Sequence, residues 1–324
     1  MRVVRAVRFG GPEVLVPDQE PEPVAGPGQV VVEVSVVAID FVQTQLRSGW
    51  TPGPPLPTPP YVPGSSIAGR VGSVGEGVDR AWLGRRVVTH TASGAGGNAE
   101  AAVAAVEELV PVPAGLGLPE AAALLDDGAT ALGLVHRAGV RAGEWVLVEA
   151  AAGGVGGLLV QLAGAAGARV VGAARGAAKL EVARALGAEA VVDYSEPGWS
   201  ERVRAATGGR GVDVVFDGVG GRIGQEALEA TAPNARFSVH GAASRAVTVV
   251  DPAEARRRGV SVIGLEQLRS FHVGARERVE HMLAEAAAGR VTPRIGRTFP
   301  LERADAAHAA IEAREVLGKT LLFV

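Results

Sequence analysis

Between residues 146 and 175 the sequence VLVEAAAGGVGGLLVQLAGAAGARVVGAAR sets Gly153, Gly154 and Gly156 between an apolar β-like run and a segment of helical spacing. A strand that turns through glycines into a helix offers unpaired backbone N–H groups and the positive end of the helix dipole, a setting that favours a pyrophosphate. Gly156 would let helix and strand approach closely, and a second strand follows roughly 20 residues on, as in a dinucleotide-binding βαβ unit. Ala152 and Val155 complete the turn. A glycine motif is weak by itself in a chain with 45 glycines. Its place inside a β/α array favours the dinucleotide over a merely structural turn.

The end of the second strand bears on which dinucleotide. An NAD site places an acid there for the ribose hydroxyl, and an acid would repel a 2′-phosphate. Here the chain reads VVGAARGAAK, with Arg175 and Lys179 and no acid before Glu181. That pattern points to NADPH. The alternative is two solvated surface cations, but the sequence has only two lysines and one of them falls here.

Other groups suited to chemistry are sparse. There is no cysteine, which removes disulfides, thiolate zinc sites and cysteine nucleophiles. Six histidines, at 90, 136, 240, 272, 281 and 308, show no ligand-like spacing. Asp126 and Asp127 form an acidic doublet that is either a pair of general acids or a helix feature facing solvent or a ribose. In AIDFVQTQLRSGW (38–50), Gln43 follows Asp40 by about one helical turn. Gln43 can donate to a carbonyl, whereas Asp40 donates only if protonated and otherwise serves as a helix N-cap. Trp50 either walls an aromatic slot or anchors a loop.

These residues need a scaffold, and the texture of the chain changes along its length. Short β-branched runs at 28–40, 65–78 and 84–92, separated by Gly and Pro, predict a β-rich barrel or sandwich. The proline-dense stretch 50–64 reads as an irregular loop over a cleft. PEAAALLDDGATALGLVHRAG (119–139) reads as helix. Strand-like runs at 144–150, 168–174, 189–194, 212–218, 235–240 and 260–265 then alternate with Ala-rich helices, which implies a parallel sheet. The tail supplies two more helices and a last strand.

At 47% hydrophobic and 21% charged, 324 residues can bury a substantial core in two domains. A net charge of -3 with no basic run gives no electrostatic draw toward nucleic acid or a membrane surface. The opening MRVVRAVRFGG lacks an apolar signal core, so a cytoplasmic location is expected.

AAAGGVG after GEWVLVEA, then KLEVARALGAEAVVDY, GVDVVFDGVGG and the terminal GKTLLFV, resemble in order the medium-chain dehydrogenase/reductase superfamily, in its zinc-independent, quinone oxidoreductase-like branch. The resemblance spans nearly the whole chain. It implies an α/β fold: a GroES-like β-rich catalytic domain over 1–120, a doubly wound Rossmann NADPH-binding domain over 121–266, and a segment 267–324 that returns to the first. It also implies metal-free reduction by NADPH of a quinone or an enone or enoyl acceptor. A zinc-free ketone reductase and a non-catalytic NADPH-binding protein are the other classes.

By the same resemblance Lys179 and Tyr194 match positions that hold the 2′-phosphate, although Tyr194 also reads as a strand-end aromatic. Thr130 matches a residue beside the nicotinamide, and Val219, Gly241 and Ala242 fall in the loops lining it. His240, in SVHGAAS, either approaches substrate or is a satisfied structural histidine. Zinc-dependent relatives carry an early Cys and a Gly-His-Glu segment where this chain has PGSSIAG (63–69), so no metal is expected. Asp40, Gln43 and His240 are the candidate catalytic residues, with the segments that carry them expected to line one cleft. A homodimer is expected through an edge strand in VSVIGLEQL (260–268).

Overall fold

Val-rich runs with few good helix formers make the first strands, because β-branched side chains fit a pleated, half-buried surface. The computed structural model describes residues 1–324. Along the chain come β1 (Arg2–Ala6), β2 (Leu15–Gln19), β3 (Gln29–Ile39), α1 (Phe41–Arg47), β4 (Ser66–Val74), β5 (Arg86–His90), β6 (Ala101–Ala105), β7 (Val110–Pro111) and α2 (Leu118–Ala138). Next are β8 (Trp145–Glu149), α3 (Gly154–Ala165), β9 (Arg169–Ala174), α4 (Ala177–Ala185), β10 (Ala190–Asp193), α5 (Trp199–Ala206), β11 (Val212–Asp217), α6 (Gly221–Glu229) and β12 (Thr231–Val239). The chain ends with α7 (Pro252–Arg258), β13 (Ser261–Ile263), α8 (Ala275–Ala287), β14 (Ile295–Pro300), α9 (Ala304–Glu312) and β15 (Lys319–Phe323).

Two units result, Met1–Asp126 with Arg276–Val324, and Asp127–Ala275; the sequence reading put the changes near 120 and 266. In the first unit a seven-stranded sheet has the order β14-β15-β3-β4-β5-β7, with β6 also pairing β3. Its core gathers Val4, Val30, Val32, Ile67, Val87 and Leu109 with Leu301, Ala307 and Leu322 from the chain's end. The tail therefore completes the first unit. Residues 50–60 hold no helix or strand, as the prolines require, and Tyr61 bridges Ala6.

The second unit is a six-stranded parallel sheet in the order β10-β9-β8-β11-β12-β13. β8 is buried along its whole length, as a central strand covered by helices on both faces must be. From β8 the order runs outward in both directions, so the chain reverses between β8 and β11. Ligands of doubly wound sheets bind at the carboxyl ends of the strands beside such a switch.

One expected strand is shorter than its apolar run. β13 ends at Ile263 and a 3₁₀ helix spans Leu265–His272. The reason is a buried amide: Gln267 Nε2 donates to Val239 O at 2.7 Å, tying the turn to the end of β12.

Candidate active site

In the second unit β8 ends at Glu149, and Ala150 takes φ 49 as the chain turns toward α3. No side chain caps the first turn of α3, so its backbone donors remain open to an anion. Gly156 is required by close approach to backbone, and Gly154 lies against a side chain. A Cβ on Gly154 would stand 1.8 Å from Asp127 Oδ2, and one on Gly156 would stand 2.3 Å from Ala150 O. Gly153, Gly154 and Val155 form the partly exposed side of the turn, while Ala152 and Gly156 are buried beneath it. Open backbone donors on a glycine turn of this kind can take an anion.

At the end of β9 Arg175 is exposed and Lys179, in α4, is partly buried. The structure adds an acid that the linear reading lacked. Asp193, on neighbouring β10, accepts from Gly176 N at 2.7 Å and from Ser195 N at 2.8 Å and Ser195 Oγ at 2.5 Å. Burial opposes its charge, but those bonds and the Arg175 cation hold its carboxyl below the ordinary range. Both oxygens are thus engaged by the protein. Tyr194 packs edge-on to Trp199, ring centroids 6.3 Å apart, so it has a packing role whatever else it does.

Val219, His240, Gly241 and Ala242 follow the carboxyl ends of β11 and β12, beside the glycine turn after β8. A Cβ on Gly241 would meet Gly218 O at 2.5 Å, so this loop also passes close to its neighbour. His240 stands edge-on to Phe216, its Nδ1 buried and without a partner. Burial pushes its pKa down to about 4, so it is a neutral imidazole at pH 7. Thr130 is partly buried on α2.

Beneath these loops lies a pair that sequence reasoning missed. Glu149 and Asp217 are both fully buried, one strand apart. Asp217 accepts from Val219 N at 3.1 Å, Gly220 N at 2.7 Å and Thr248 Oγ1 at 2.5 Å. Burial and the charge of Asp217 raise the Glu149 carboxyl well above its ordinary range. Its Oε2 accepts from Val219 N at 3.2 Å, while Oε1 is buried without a bonded partner.

In the first unit the chemistry gathers along one end of the sheet. Ala38 is paired with Ser66, Ser66 with His90, and Ile39 with Thr320, so the ends of β15, β3, β4 and β5 bring Lys319, Asp40, Ser66 and His90 into one row. Asp40 occupies the N-cap position of α1, but its side chain makes no capping bond. It is instead ion-paired with the ammonium of Lys319, a residue only 4% exposed. His90 Nε2 lies 2.9 Å from Asp126 Oδ1, and Ser66 Oγ donates to Asp126 Oδ2.

Asp126 therefore faces His90 and Ser66, and Asp127 packs on Gly154; neither is the solvent-facing helix acid that was one expectation. Burial disfavours charge on both members of the His90–Asp126 pair, yet their mutual attraction wins. His90 rises to about 9, and Asp126 is held far below the carboxylate range. Gln43 is 7% exposed with neither side-chain heteroatom bonded, and Trp50 is partly buried after α1.

This donor set does not suit zinc. Asp40 is neutralised by an ammonium, Asp126 by an imidazolium, cysteine is absent, and no three His, Asp or Glu side chains converge. Lys319 and Glu149 escaped the sequence reading, His90 was noted only among histidines without ligand-like spacing, and Asp126 only as half of an acidic doublet. The Asp-Asp doublet inside a helix was the one available signal, since pairing partners across strands are invisible without register.

Residues 26–114 match the family described as alcohol dehydrogenase GroES-like domain, and residues 154–288 match that described as zinc-binding dehydrogenase. The rat protein named quinone oxidoreductase is 33% identical over 100% of this chain and 98% of its own length. A 2-haloacrylate reductase from Burkholderia sp is 31% identical over 97% of this chain and 96% of its own. The structure of Escherichia coli quinone oxidoreductase complexed with NADPH superposes with TM-score 0.91 at 29% identity, covering 100% of both chains. No helix is long and apolar enough to cross a membrane.

Proposed function

Because the chain belongs to the medium-chain dehydrogenase/reductase superfamily, in its quinone oxidoreductase-like branch, we propose that it reduces quinones or α,β-unsaturated carbonyl compounds. It is an NADPH-dependent reductase. The bound cofactor supplies a hydride from its nicotinamide. The α3 turn formed by Gly153, Gly154, Val155 and Gly156, with Ala152 beneath it, holds the pyrophosphate on open backbone donors. Arg175 and Lys179 hold the 2′-phosphate, with Tyr194 at its side. Thr130, Val219, Gly241 and Ala242 bound the nicotinamide, and His240 offers a neutral imidazole.

The observation that supports a carbonyl acceptor is Gln43. Its amide is buried, and both heteroatoms are unbonded, a costly arrangement unless a ligand supplies the partner. A carbonyl oxygen that gains charge during reduction is such a partner, and Gln43 Nε2 is its donor. The names of the relatives, quinone oxidoreductase and 2-haloacrylate reductase, support acceptors with conjugated double bonds.

NADPH oxidation followed against a panel of quinones, enones and saturated ketones tests this. Turnover confined to saturated ketones would replace the reading with a simple carbonyl reductase. NADPH binding with no turnover would leave a binding protein. We further propose a dimer through the β13 edge, where Val262 is 42% exposed; sedimentation at micromolar concentration checks it.

A further inference from the structure

Reduction of a conjugated carbonyl leaves a proton to be found. Hydride forms a C–H bond, the π pair moves onto oxygen, and that oxygen needs an O–H bond. Histidine is the side chain best suited to supply it near neutral pH, provided it is charged, reachable and oriented.

We propose that His90, oriented by Asp126, is the proton donor of this reductase, an inference that rests on the reductase reading above. Its Nδ1–H bond breaks as the substrate O–H bond forms, and solvent then restores the proton to the imidazole. Three features of the first unit carry this. The His90 side chain is 38% exposed, which makes it reachable. Nε2 is committed to Asp126 at 2.9 Å, so the ring is fixed and Nδ1 has no protein partner. Asp126 is itself held on its other oxygen by Ser66, which Ser65 Oγ approaches at 3.3 Å, so the carboxylate cannot turn away.

Charged neighbours maintain the protonated state from every side. Asp126 from α2, Asp40 from the end of β3 and Glu108 before β7 all favour the cation, and Lys319 from β15 favours the Asp126 anion. With a midpoint of about 9, His90 is a cation at pH 7. His240 is poorly suited to the role, because it is neutral there. Asp40 is disqualified by its ammonium partner.

The test uses the full chain in three forms: wild type, His90→Gln and Asp126→Asn. The imidazole of His90 is titrated by NMR without cofactor, and kcat and KM for NADPH are measured against pH. In the wild type the imidazole titrates near 9 and kcat falls above that pH. His90→Gln should lower kcat by about 100-fold and abolish the alkaline limb, with KM for NADPH unchanged. Asp126→Asn should move both the NMR midpoint and the alkaline limb down together toward the ordinary histidine value of about 6.5. An active wild type whose kcat profile survives His90→Gln overturns the donor role and leaves the reductase reading standing. A wild type that oxidises NADPH with none of the quinones, enones or ketones overturns the reductase reading and the donor role with it.

Discussion

Glu149 and Asp217 are cross-strand neighbours at the ends of β8 and β11, both fully buried, with Asp217 taking the backbone donors of the next turn and Glu149 left protonated. Two carboxylates in a dry site cannot both ionise cheaply. A carboxyl whose folded pKa is raised contributes stability that is complete below its ordinary value, about 4.3. That contribution is lost as pH rises through the folded value. Glu149→Gln keeps an acceptor for Val219 N and removes the titration. Its melting temperature should therefore hold up better than that of the wild type as pH is raised from 5 to 9 in calorimetry. Parallel curves for the two proteins would mean that Glu149 is ionised.

The Asp40–Lys319 pair supports the opposite expectation for an equally conservative change. Were Asp40 a side-chain cap, asparagine would serve nearly as well. It instead neutralises a nearly buried ammonium, so Asp40→Asn should destabilise by about 3 kcal/mol in urea titration. The double variant Asp40→Asn with Lys319→Met should recover much of that loss. A single variant as stable as the wild type would show that the pair contributes nothing.

His308 sits in α9 with both ring nitrogens buried and unbonded. Burial, and then the positive charge of Arg47, push its pKa down to about 3. For a base so lowered, stability is complete above its ordinary value of 6.5 and is lost as pH falls through the interval toward 3. His308→Leu should make the protein markedly less sensitive to a drop from pH 7 to pH 5. Equal melting-temperature losses in the two proteins would exclude His308 as the source.

Removal of Lys179 to alanine should raise KM for NADPH by roughly 10-fold or more, since a hydrogen bond to a charged group contributes about 1.5–3 kcal/mol. NADH use should hardly change. Equal loss with both cofactors would assign Lys179 to folding.

Gln43→Leu separates stability from activity. Replacing an unbonded buried amide with an apolar side chain should leave stability equal or improved. Losing a donor to a developing oxyanion should lower kcat by about 100-fold. An unchanged kcat would remove Gln43 from the substrate site.

The sequence determined what is local or periodic. Alternating apolar strands and helices fixed the parallel sheet. Glycines between β8 and α3 announced a turn, and at Gly156 any side chain would collide with the backbone of Ala150. The prolines of 50–64 ruled out helix and central strand. Tertiary structure decided which distant polar groups meet. Asp40 and Lys319 lie at opposite ends of the chain, and only the antiparallel pairing of β3 with β15 brings them together. His90 acquires its charge from Asp126 across a strand-to-helix contact, and Glu149 loses its own to Asp217 across a parallel pair. Proton affinity depends on burial and on charges a few ångströms away in space, and neither is written in residue type or spacing.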